Sequence, residues 1–169
     1  SPRPARLADG TAWPVAEELP VAISYNRRKD AVMLATPSDI ADFAIGFSLS
    51  EGIVTRLGDI EAIEIINQGI GIDLHIELSP DRLERLEIVH RRRNLPGRAG
   101  CGLCGLENAE TLITPLPRVS PAPVELSCDA LAKAMASLTD CQPLNSQTRS
   151  VHAAAWCNAT GDILITRED

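Results

Sequence analysis

Apolar and polar residues alternate most cleanly between Ile72 and Leu78. Ile72, Leu74, Ile76 and Leu78 fall on one face, and Asp73, His75 and Glu77 on the other, the period-two signature of a half-buried strand. Ile60 to Ile66 reads as its partner across a turn at Asn67 to Gly71. Leu19 to Tyr25 is an earlier strand with Val21 and Ile23 on one face. The polar run Asn26 to Asp30 turns the chain into a return strand, Ala31 to Ala35. Between the two pairs the period changes. Ile40, Phe43, Ala44 and Phe47 recur at helical spacing. Thr36 as N-cap, Pro37 in the first helical position and Asp39 in the first turn mark where this helix starts, and Glu51-Gly52 ends it. Gly46 inside it costs about 1 kcal/mol relative to alanine, which points to a neighbour packed closely against it.

Ser79-Pro80-Asp81 starts a second helix carrying Leu83, Leu86 and Val89, with Arg91, Arg92 and Arg93 complementing its C-terminal dipole. Asn94 to Gly105 holds four glycines and one proline and reads as a loop. Pro115, Pro117, Pro121 and Pro123 then mark a domain boundary. The expected organisation is a domain over 1–113, a proline-rich linker over 114–125 and a second piece over 126–169. In that piece Ser127 or Asp129 caps a helix with Leu131, Ala134, Met135 and Leu138 on one side. Val151 to Cys157 and Asp162 to Thr166 read as strands joined by a turn at Asn158 to Gly161. The fold class is α+β in two parts, the first with two antiparallel strand pairs and two helices. One helix and two strands are thin for an independent core. The expectation is that the sequence belongs to a longer protein and that Val151, Ala153, Ile163 and Ile165 face water.

Composition removes several function classes. Hydrophobic residues make up 44% of the 169 residues, too many for a disordered chain. Aromatics are only 3%, so the core is aliphatic and a stacking platform for single-stranded nucleic acid is excluded. A net charge of -7 repels phosphate backbones. No run approaches the roughly 18 apolar residues of a membrane helix, and Ser1 to Trp13 lacks the apolar centre of a signal peptide. Five cysteines, an odd number, suit the reduced thiols of a cytoplasmic protein.

The main candidate for chemistry is Gly100-Cys101-Gly102-Leu103-Cys104-Gly105. Two thiols two residues apart can approach each other, and the glycines let the loop expose them. Arg93 and Arg98 nearby favour thiolate, the reactive form. Such a pair can accept a sulfur atom as a persulfide and pass it on. The spacing alone equally allows half a zinc site or a redox pair. Zinc needs two further ligands, and Cys128, Cys141, Cys157, His90 and His152 are scattered, the three cysteines reading as small buried hydrophobes. A thioredoxin-like pair needs a preceding strand that is not seen. His152, in Val151-His152-Ala153-Ala154, reads as a core histidine. A zinc deaminase would carry Glu where Ala154 stands. Arg91 to Arg93 form either a solvated helix end or a docking patch for an anionic partner.

Together these residues resemble the FdhD/NarQ family of formate dehydrogenase accessory proteins. The resemblance runs through Glu18-Leu19-Pro20-Val21-Ala22-Ile23 with Asn26, Ala35-Thr36-Pro37 with Asp39, and Gly46-Phe47 to Glu51-Gly52-Ile53. It continues in Cys101-Gly102-Leu103-Cys104-Gly105 and His152-Ala153-Ala154. It implies a sulfurtransferase that takes persulfide sulfur from a cysteine desulfurase and delivers it to the molybdenum bis-guanine-dinucleotide cofactor of formate dehydrogenase. Cys101 and Cys104 would handle the sulfur. No metal or cofactor would be permanently bound, and the cofactor would be a transient ligand held mostly by residues beyond Asp169. The partners implied are the desulfurase, formate dehydrogenase and a second copy in a homodimer, without nucleic acid or membrane. The second piece would be an incomplete cytidine-deaminase-like α/β domain. The rival readings are a molybdenum-cofactor-binding chaperone and a zinc-stapled interaction domain. One departure stands out: Arg149 and Ser150 follow Thr148 where the family carries a glycine. The loop Asn94 to Leu106 is expected to be mobile without a partner.

Overall fold

The structure, a computed structural model, describes residues 2–84 and 125–169. Leu86, Val89, His90, Arg91 to Arg93, the loop with Cys101 and Cys104, and the prolines from Pro115 to Pro123 lie outside the described residues, as does the expectation of a mobile loop.

The chain begins with a hairpin that the sequence pattern does not announce: β1 (Arg3–Arg6) pairs antiparallel with β2 (Ala12–Val15). Then come β3 (Leu19–Tyr25), β4 (Arg28–Ala35), helix α1 (Ile40–Ser50), β5 (Ile60–Asn67) and β6 (Ile72–Leu78). Residues 80–84 are helical and are labelled α2. Beyond residue 124 lie α3 (Cys128–Leu138), α4 (Pro143–Thr148), β7 (Ala153–Cys157) and β8 (Ile163–Glu168). The architecture is α+β.

Both expected strand pairs form, and they join into one sheet of order β4-β3-β6-β5. The join is the parallel pairing of β3 with β6, Val21 opposite Ile72 through Tyr25 opposite Ile76. The first pair turns more tightly than its polar run suggests. Tyr25 is opposite Arg28, so only Asn26 and Arg27 make the turn, at φ 47° and 64°. That is the left-handed geometry of a two-residue hairpin. Asn26 also holds the turn to β6, its Oδ1 accepting from the Leu78 N–H at 3.0 Å.

The period-two reading of β6 is fulfilled: Ile72, Leu74, Ile76 and Leu78 are all buried. With Val21, Ile23, Tyr25, Ile53 and Val54 they form the core, and α1 covers it with Ile40 and Ala44. Ser48, in the same stripe, is buried too. Its hydroxyl donates to the Ala44 carbonyl at 2.6 Å and meets the Tyr25 hydroxyl at 2.8 Å. Burial pushes the Tyr25 phenol up to about 12, against the lowering effect of the Ser48 bond.

Two details of α1 differ from the sequence reading. It starts at Ile40, with Asp39 rather than Thr36 as N-cap. The Thr36 N–H is taken by the Asp169 carboxylate at 2.6 Å, and Asp39, at φ 51°, is the boundary before the helix. Among the described residues nothing lies within 4 Å of where a Gly46 Cβ would project, so no described neighbour explains it. Gly46→Ala is therefore expected to stabilise the fold by about 1 kcal/mol through helix propensity and lower unfolded-state entropy. The urea midpoint of the variant checks this; an unchanged or lower midpoint refutes it.

The second piece has α3 lying beside the β7–β8 ribbon. Ser127 is its N-cap, accepting from the Ala130 N–H at 3.1 Å. Its inward side is Ala130, Ala134, Ser137 and Leu138, while Leu131 and Met135 are exposed. The inward face is thus rotated from the apolar stripe read in the sequence. The expected water-facing set is also revised. Ile165 is exposed, but Val151, Ala153 and Ile163 are half-buried, and the most exposed large apolar side chains of the ribbon are Trp156 and Leu164.

Candidate functional site

Cys101 and Cys104 lie outside the described residues. His152 is placed, and it is not the core histidine that the apolar segment suggested. It is exposed, just before β7, and its backbone exchanges two hydrogen bonds with Asp169 at 2.9 and 3.1 Å. Cys128 is exposed, and Cys141 and Cys157 are half-buried, which corrects the expectation that all three are buried. Among the described residues no cluster of His, Cys, Asp and Glu is placed to hold a metal ion.

The His152 segment forms one wall of a pocket of about 400 Å³ whose other wall is the start of α1. Ala35, Phe43, Ala153 and Ala154 give it an apolar floor. Its rim carries Asp39, Asp42, Arg167 and Asp169 beside His152. Sequence reasoning missed these rim residues as a group. Arg167 and Asp42 are 125 positions apart, so no local pattern could join them. The Arg167 Nε donates to the Asp42 Oδ2 at 2.6 Å, and Asp39 lies 3.7 Å away. Asp42 first, with Asp39 behind it, raises the guanidinium further above its ordinary value.

The ribbon is anchored from below as well. Glu168 accepts from the N–H groups of Leu144 and Asn145 at 2.9 and 2.7 Å, capping α4 from β8. Asp162 takes hydrogen bonds from Lys133, Thr160 and Asn158, in that order of effect, which hold its carboxyl well below the usual range.

Two other arrangements look chemical and are structural. The Ser24 hydroxyl lies against Nδ1 of His75, a serine–histidine pair, but Ser24 is buried in the sheet and cannot reach a substrate. Asp59 accepts from the N–H groups of Thr55 and Arg56 and from the Arg56 side chain. The Thr55 N–H contributes most to keeping its carboxyl low, and the group closes the turn that leads into β5.

A family model for the FdhD/NarQ family matches residues 16–169. The chain belongs to the FdhD/NarQ family. Among curated relatives, the sulfur carrier protein FdhD of Xanthomonas euvesicatoria pv. vesicatoria is 47% identical over 155 residues, covering 92% of this chain and 54% of the relative. The sulfur carrier protein FdhD of Cupriavidus necator is 46% identical over 155 residues, covering 92% and 53%. The chain thus spans about half the length of the curated relatives it matches. A crystal structure described as that of a formate dehydrogenase accessory protein from Desulfotalea psychrophila superposes with a TM-score of 0.61 at 20% identity. It covers 99% of this chain and 60% of that one, which supports the fold. Among the described residues no helix is long and apolar enough to cross a membrane.

The departure at Arg149 has a structural meaning. Arg149 follows α4 with φ 53° and ψ 32°, the left-handed conformation that ends helices. Glycine adopts it without steric cost. Its side chain is exposed, so Arg149→Gly is expected to raise stability by roughly 0.5–1 kcal/mol. A thermal melt that shows no upward shift counts against this account of the turn.

Proposed function

We propose that this protein is the sulfur-handling part of a formate dehydrogenase accessory factor, and that Cys101 and Cys104 carry the sulfur. One observation carries the reading: a chain of the FdhD/NarQ family, with relatives named sulfur carriers, holds Cys101-Gly102-Leu103-Cys104-Gly105. The donor is a cysteine desulfurase bearing a persulfide. A thiolate of the pair attacks the outer sulfur of that persulfide, and the desulfurase thiolate leaves. The acceptor is the molybdenum bis-guanine-dinucleotide cofactor, which is cargo here. A second thiol near the first makes release possible. Attack of its thiolate on the loaded cysteine expels sulfide and leaves a Cys101–Cys104 disulfide, which an external dithiol must reduce before another round. A single cysteine has no such route, which is the chemical reason for a pair.

The test is an intact-mass spectrum after incubation with a cysteine desulfurase and free cysteine. Addition of the mass of one sulfur, removed by dithiothreitol and mapped to Cys101 or Cys104, is expected. Sulfur on Cys128, Cys141 or Cys157 alone, or none at all, sinks the carrier reading and leaves the cofactor-binding chaperone. Stoichiometric zinc in the purified protein would instead favour the stapled interaction domain.

A further inference from the structure

The β1–β2 hairpin precedes residues 16–169, the part matched by the family model. It does not simply trail into solvent. Arg3 forms an ion pair with Glu17, which ties the first strand to the chain leaving the second. From β2, the Trp13 indole N–H donates to the carbonyl of Thr148 at 3.3 Å. Thr148 is buried, at 2% exposure, and is the last residue of α4. The C-terminal carbonyls of a helix have no partner within it, so the indole takes one of these groups.

The contacts continue from α4 in a closed circuit. At its other end the helix is capped by the Glu168 carboxylate of β8. The next residue, Asp169, pairs its backbone with His152 and gives its carboxylate to the Thr36 N–H. Thr36 directly follows β4 of the main sheet. The path from the sheet to α4 therefore runs through Asp169 and Glu168 on one side and through Trp13 on the other. We propose that the β1–β2 hairpin is a clasp: it holds α4 from the N-terminal side and thereby fixes the His152 wall of the pocket against α1. Contacts along such a chain count as coupling only when a change at one end alters the other, and the experiment is built on that criterion.

The experiment is amide hydrogen exchange by mass spectrometry on the full chain, wild type against Trp13→Ala and Trp13→Phe. Trp13→Ala removes the donor and the ring, and exchange across 143–152 is expected to accelerate roughly tenfold. Trp13→Phe keeps an aromatic ring without the donor and should fall between. Peptides from β3 and β6 are the internal control and should not change. Equal rates in wild type and Trp13→Ala, or equal acceleration in all peptides, would overturn the clasp. Fluorescence gives a second readout, because Trp13 and Trp156 are the two tryptophans. In a Trp156→Phe background Trp13 should be quenched by acrylamide less than Trp156 is in a Trp13→Phe background, as their exposures of 41% and 72% require. Quenching of Trp13 equal to that of Trp156 would mean that the hairpin is not seated on α4.

Discussion

Replacing Cys101 and Cys104 together by alanine is expected to abolish formate dehydrogenase maturation while leaving the melting temperature within about two degrees of wild type. The functional half follows from the chemistry. Neither persulfide formation nor expulsion of sulfide has a substitute nucleophile at that point in the chain. The other cysteines sit at the start of α3, just before α4 and at the end of β7. The stability half follows from size: alanine differs from cysteine by one sulfur atom and fits where cysteine did. The single variants separate loading from release. Whichever cysteine is loaded first should, when replaced, give no sulfur adduct. The other single variant should load but fail to release sulfide. Maturation that persists in the double variant, measured as formate dehydrogenase activity in cells lacking the native factor, ends the relay hypothesis.

The largest stability effect is expected at Gly161. It has φ +81°, and a Cβ built there would stand 2.1 Å from the carbonyl oxygen of Ala130 and 2.9 Å from its carbon. Both contacts are with helix backbone, which cannot swing aside as a long side chain would. Gly161→Ala should therefore cost about 3 kcal/mol or more, adding displacement of α3 from the β7–β8 turn to left-handed strain. Gly69→Ala isolates the strain, since it has φ +82° with nothing among the described residues within 4 Å of its added Cβ, and should cost only about 1 kcal/mol. Equal losses for the two variants in urea melts would show that the contact with α3 is not rigid.

The sequence is most legible where burial is one-sided and local. Ile72 to Leu78 alternates because β6 has the core on one face only, and its limits and buried face are readable from the residues alone. The stripe of α1 is readable for the same reason, apart from Ser48, whose hydroxyl is satisfied internally by Ala44. The helix starts at Ile40 and not near Thr36 because Asp39 takes the left-handed conformation, φ 51°, just before it, a backbone choice that the residue pattern does not announce. The β1–β2 hairpin escapes a sequence reading because its strands are four residues each and mostly exposed, which leaves little alternation to see. The rotation of α3 has a similar origin. Ala130 and Ala134 are weak hydrophobic signals beside Leu131 and Met135, yet it is the backbone at Ala130 that the Gly161 turn approaches. Of the candidate site, the cysteine pair is legible as a motif. The pocket rim is not, because Asp42 and Arg167 meet only when the chain has folded.

The parallel register of β3 with β6 also sets the order of assembly. Each hairpin can close within microseconds because its strands are neighbours in sequence. Ser24 and His75 are 51 positions apart, and the parallel seam they lie on must wait until the intervening strand, helix and strand have been drawn together. The entropy of that closure comes before any of the seam's hydrogen bonds repay it. The expected rate-limiting event of folding is the docking of the two hairpins under α1. Val21 and Leu74 lie on this seam, so truncating either should slow refolding, whereas changes in the Asn67 to Gly71 turn should mainly alter how early the second hairpin forms.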